Sequence, residues 1–150
     1  MLTGLNHLHS ANRYLVIGFI VAAIIDAIIA LSNNKQYSKS SRMLALLSLI
    51  FVHIQLLVGS ALYFLGDKGL NVILNVEGFM KIAQDRFYAV EHLVGMIVAI
   101  TLITIGYSKV KRIADDRKKY RTVLIFFGLG LLIILVLIPW PFMKNFGSWI

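Results

Sequence analysis

The sequence predicts an all-α integral membrane protein, a four-helix up-down-up-down bundle forming a single membrane domain over residues 1–150. Three observations predict it. Hydrophobic residues make up 59% of the chain and the mean hydropathy is +0.80, more apolar than a soluble domain of this size. Four apolar stretches are each long enough to cross a hydrocarbon core of about 30 Å, which takes about 20 helical residues. Short polar or basic segments join these stretches, and short connections make successive helices antiparallel neighbours.

Residues 1–12, MLTGLNHLHSAN, read as a short polar start carrying His7 and His9. They do not read as a secretory signal, because no basic region precedes an apolar core and no small-residue cleavage site follows. The first span runs over about 13–31, contains Asp26, and stops at the turn-forming run SNNKQYSKSSR. The second, 43–65, has no formal charge and carries His53 near its middle, with Gln55 two residues on. Gly66, Asp67 and Gly69 break it. In the mixed segment that follows, Val76, Phe79, Met80 and Ala83 recur at helical spacing. They predict an amphipathic helix over about 70–85, lying at the interface or leading into the next span. The third span, about 86–107, holds Glu91 and His92 near its start. The fourth, about 122–138, has no charged residue and ends at Pro139-Trp140-Pro141-Phe142, with the tryptophan suited to the headgroup belt.

The net charge is +8 at pH 7. No basic folded module is present, so the charge does not point to nucleic acid. It points to membrane orientation and to anionic lipid headgroups. The connections after spans one and three hold ten of the fifteen basic residues. Under the positive-inside rule these connections are cytoplasmic, which puts both termini and the 66–87 connection outside. There is no cysteine, which excludes disulfides, thiolate metal sites and covalent c-type haem attachment.

Depths follow from this orientation. His9 falls at the outer surface, His92 about 9 Å inward of Arg86, and His53 about 18 Å inward of Leu65. A titratable ring near the midplane is costly and usually faces the bundle interior. Spans two and three are consecutive and antiparallel, so His53 and His92 can face each other. Two imidazoles on neighbouring membrane helices suit a b-type haem, whose iron they would ligate from either side. Gly59 and Gly95 would clear space for a porphyrin, and Arg13 and Arg86 would pair with its propionates. His53 and His92 differ in depth by about 9 Å on this count, and His9 with His92 forms a shallower alternative pair. Each feature also has a plainer reading. His53 can hydrogen-bond a neighbouring helix, Glu91-His92 can be an interfacial polar pair, and His7 can be solvated. Arg13 and Arg86 can anchor headgroups, and the glycines can serve close packing. Asp26 reads as a packing residue or a proton-relay group. The vertical spread of His9, His53 and His92 argues against one zinc or copper ion.

The sequence resembles a family of small four-span bacterial membrane proteins often labelled cytochrome b-like. The matching pieces are LHSANRY (8–14), FVHIQLLVGSALYF (51–64), RFYAVEHLVGMIVAITLITIGYSK (86–109) and IPWPF (138–142). They cover nearly the whole chain and include His9, Arg13, His53, Gln55, Glu91 and His92. Tyr14 stands where the pattern has a tryptophan. The resemblance implies a multi-pass protein of the bacterial cytoplasmic membrane that binds haem b. Such a protein would exchange electrons with quinone or with a partner subunit, alone or as a homo-oligomer. The alternatives are a cofactor-free proton-relay or transport protein using Asp26, Glu91 and the histidines, and a structural subunit of a larger membrane complex.

Overall fold

The computed structural model describes residues 2–140 and 142. Six α-helices appear in order: α1 Leu2–Ser32, α2 Lys39–Leu65, α3 Leu70–Asn75, α4 Ala83–Arg86, α5 His92–Arg112 and α6 Asp116–Leu137. A 3₁₀ turn covers Phe79–Lys81, and a π-turn, Phe87–Glu91, joins α4 to α5. Four helical stretches are long and apolar enough to cross a membrane. The chain is therefore a multi-pass, all-α membrane protein.

Local chemistry sets the helix ends. Ser38 caps α2 by accepting from the Ser41 N–H at 3.0 Å, and Asp115 caps α6 by accepting from the Lys118 N–H at 2.6 Å. The single amphipathic helix expected over 70–85 is instead three short pieces. Gly78 adopts a left-handed φ of 69°, which interrupts the helical run and which glycine takes without a Cβ penalty. The polar start also differs from expectation, because α1 is already helical at Leu2. Its Asn12 and Arg13 are buried in tertiary packing, which overrides their polar local sequence.

In the bundle, α1 packs between α2 and α6, and α5 also packs between α2 and α6. The buried residues follow one rule on every long helix. On α1 they fall at Arg13, Val16, Ile20, Ala23, Ala27 and Ala30, with Asn12 buried beside Arg13, and on α2 at Ser41, Ala45, Ser48 and Val52. On α5 they include Ala99, Ile103, Gly106 and Val110, and on α6 Tyr120, Val123, Phe127, Gly130 and Ile134. Steps of three and four alternate, which is the 3.5-residue period of a left-handed bundle. The seam residues are often Ala, Gly or Ser, which let backbones approach where lipid offers no hydrophobic drive to association.

The two ends of the bundle differ. The basic end, with connections 33–38 and 113–115, is tightly packed around Tyr120 and Phe127. At the histidine end the seams continue but no longer meet, and a cavity opens between the helices.

Candidate functional site

The cavity has a volume of about 520 Å³. Its lining follows the seams upward: Asn6, His9, Arg13 and Val16 on α1, and Val52, Leu56, Gly59 and Tyr63 on α2. His92, Met96 and Ile100 face it from α5, and Ile134 from α6. The floor is aliphatic. The mouth is polar, formed by the first turns of α1, residues 66–69 and Tyr88.

Two histidines meet here. The rings of His9 and His92 stand edge to face, with centroids 6.4 Å apart. The His92 Nδ1 lies 2.8 Å from the Leu137 carbonyl oxygen on α6. A carbonyl only accepts, so Nδ1 carries the proton and Nε2 keeps its lone pair. A ring nitrogen that donates to a backbone carbonyl while the other stays basic is the usual state of a metal-ligating histidine. His9 Nδ1 is buried without a hydrogen-bond partner. Gly59 makes room for this ring, since a Cβ there would sit 3.0 Å from His9 Cε1.

A polar clasp holds the α1 side. The buried Asn12 amide donates to Gln55 Oε1 at 2.7 Å and to the Phe51 carbonyl at 3.1 Å. Gln55 Nε2 returns a bond to the His9 carbonyl at 3.0 Å. Arg13, also buried, donates to the Tyr14 hydroxyl at 3.2 Å and stacks over that ring.

The expected pairing of His53 with His92 is not what the structure brings together. His53 is not among the residues lining the cavity. Its Nδ1 bonds the Leu49 carbonyl of its own helix at 2.8 Å. Val52 occupies the seam, and one residue further on the helix turns by about 100°, carrying His53 onto the flank of α2. Arg86 also lies outside the lining. It pairs with Glu91 at 2.6 Å and donates to the Met80 carbonyl at 3.0 Å, clamping the 3₁₀ turn onto the π-turn. Gly95 faces Leu137 and Ile133 of α6, so it serves helix packing and not cavity clearance. Asp26 acts electrostatically on Tyr37, which lies in the connection at the basic end. Among the described residues, no group of three or more His, Asp or Glu side chains is placed to hold a metal ion.

Sequence reasoning missed Asn12, Tyr63 and Lys68. For Asn12 a signal existed: His9, Asn12, Arg13 and Val16 recur at steps of three, one and three, which is one helix face. Tyr63 and Lys68 carried no such mark.

No family model, curated protein or solved structure matches the chain. The function is therefore argued from the site itself.

Proposed function

We propose that this protein binds haem b in the membrane and transfers electrons, and that His9 and His92 would hold its iron. One observation carries the reading: two imidazoles share one cavity, and the basic Nε2 of His92 is left available by the Nδ1 bond to Leu137. The remaining lining fits the same group. The cavity volume lies in the range of about 300–1,000 Å³ common to cofactor sites. Its aliphatic floor suits the apolar part of a porphyrin, and Arg13 and Lys68 supply cations for two carboxylates. When bound, haem b supplies a one-electron couple. The chain does the rest. His9 and His92 would hold the iron, Gly59 admits the His9 ring, and Asn12 and Gln55 fix the backbone behind it. Val16, Val52, Ile100 and Ile134 exclude water and lower the local dielectric.

The proposal extends to orientation and partners. The ten-to-five basic bias supports both termini outside the cytoplasm, with the cavity opening toward the outer face. Electrons would then be exchanged with quinone from the bilayer or with a partner subunit. A cofactor-free proton relay has less support, because Asp26 acts at the basic end and Glu91 is paired with Arg86.

The test is a dithionite-reduced minus oxidised absorbance spectrum of protein purified after expression with ample haem. A low-spin b-type spectrum is expected. Absence of a Soret band overturns the reading.

A further inference from the structure

The backbone leading into His92 is not α-helical. Over Phe87–Glu91 it makes a π-turn, in which the His92 N–H reaches back five residues to the Phe87 carbonyl. A helix that widens by one residue and then returns to the α pattern skips one carbonyl acceptor. Inside a bilayer a skipped carbonyl needs another donor. Ala89, within this turn, is 2% exposed, and its carbonyl accepts from the Tyr63 hydroxyl at 3.2 Å. Tyr63 belongs to α2 and lines the cavity, so this bond ties one cavity wall to the turn that delivers His92. The structure makes room for Tyr63 at buried Gly69, where a Cβ would collide with the Tyr63 backbone and ring. On the other side of the turn, the Phe87 ring lies 5.8 Å from the His92 ring, and Tyr88 lines the cavity.

We propose that Tyr63 is a positioning residue whose hydroxyl holds the π-turn, and that the turn sets Phe87 and Tyr88 against His92. π-turns are rare and concentrate at functional sites. Without the hydroxyl, the Ala89 carbonyl loses the bond from Tyr63 and the turn relaxes to the α pattern. Taking one residue out of a turn rotates the preceding segment by about 100°. That rotation carries Phe87 off the His92 ring and Tyr88 out of the cavity wall. The spectroscopic consequence rests on the haem reading, whereas the geometric consequence does not.

The chain has no cysteine, so a crosslink can read the geometry alone. Lys68 Nζ lies 4.7 Å from the Tyr88 ring centroid. With Lys68→Cys and Tyr88→Cys in place, a short bis-thiosulfonate reagent is expected to join the two positions. Adding Tyr63→Phe shifts the population away from the joined geometry, and the yield is expected to fall about threefold. An unchanged yield overturns the proposal. If Tyr63→Phe does not insert, deletion of Val90 shortens the π-turn while leaving Tyr63 in place. The same loss is expected there, and an unchanged yield again overturns it. In the otherwise native chain, Tyr63→Phe is expected to retain haem while converting part of the low-spin signal to high-spin; a wholly low-spin spectrum counts against the proposal. Should the wild type show no Soret band while the crosslink still falls, Tyr63 keeps its role and the haem reading fails.

Discussion

Asn12 and Gln55 close a clasp between α1 and α2: the Asn12 amide donates to Gln55 Oε1 at 2.7 Å, and Gln55 Nε2 bonds the His9 carbonyl at 3.0 Å. Asn12 is 5% exposed, so its amide cannot fall back on water. Gln55→Leu leaves one N–H of the Asn12 amide without its acceptor while the other still donates to the Phe51 carbonyl, and it is expected to destabilise the protein by about 1–2 kcal/mol. Asn12→Leu with Gln55→Leu is expected to cost less than the sum of the two single changes. Hydrogen bonds between membrane helices have a coupling near 0.6 kcal/mol on average, which sets the scale of that difference. Reversible unfolding in mixed micelles measures it, and strict additivity would sink the clasp.

The ligand pair has a direct test. His9→Ala and His92→Ala are each expected to abolish the low-spin b-type spectrum while leaving membrane insertion intact. His53→Ala is expected to spare it, because His53 lies off the seam and bonds Leu49. Loss of the spectrum in His53→Ala with retention in His9→Ala would restore the deeper pair.

Two packing glycines are expected to respond differently to alanine. A Cβ on Gly106 would stand 2.5 Å from Phe126 Cβ, an atom tied to the α6 backbone. A Cβ on Gly95 would meet Leu137 Cδ1, the far end of a flexible side chain. Alanine gains about 1 kcal/mol of helix propensity at either site. At Gly106, overpacking of about 1–3 kcal/mol exceeds that gain, so Gly106→Ala is expected to destabilise. Gly95→Ala is expected to be near neutral. Thermal unfolding in detergent compares them, and equal effects would contradict the geometry.

Orientation can be read with single cysteines in a chain that has none. Asp67→Cys, in the connection at the histidine end, is expected to react with an impermeant maleimide added outside intact cells. Ser38→Cys, in the connection at the basic end, is expected to react only after permeabilisation. The reverse pattern inverts the topology.

Tyr37 lies in the connection between α1 and α2, packed on Tyr120 with ring centroids 5.0 Å apart. Burial, aided by Tyr120 and then Asp26, pushes its pKa up from 10.0 to about 12. The neutral phenol is therefore bound more tightly by the folded state than by the unfolded chain. Its contribution is fully present below pH 10 and is lost as pH rises from 10 toward 12. Tyr37→Phe is expected to flatten that alkaline loss. Because the Tyr37 hydroxyl is buried without a hydrogen-bond partner, the change is expected to leave stability at pH 7 equal or higher. A steeper alkaline loss in Tyr37→Phe would refute the assignment.

Several features were legible in the sequence for plain physical reasons. Spans show themselves because about 20 apolar residues in a row answer to the thickness of a bilayer, not to any neighbour. The break after Leu65 was visible in Gly66, Asp67 and Gly69. The interruption at Gly78 was not, because periodicity over Val76 to Ala83 ran straight through a residue whose φ turned out left-handed. Nor was the helical start of α1, since Asn12 and Arg13 look polar until α2 supplies Gln55 and the cavity.

The sequence alone determined an all-α chain of four apolar spans, its charge asymmetry, and a set of histidines grouped toward one end. Tertiary structure decided which of those histidines share a space. In a soluble helix the polar face marks the outside, but a membrane helix shows lipid a surface as apolar as its core. Its inward face is then set by which residues let neighbouring backbones pack. That packing put His9 and His92 on the seams and left His53, one position past Val52, on the flank of α2.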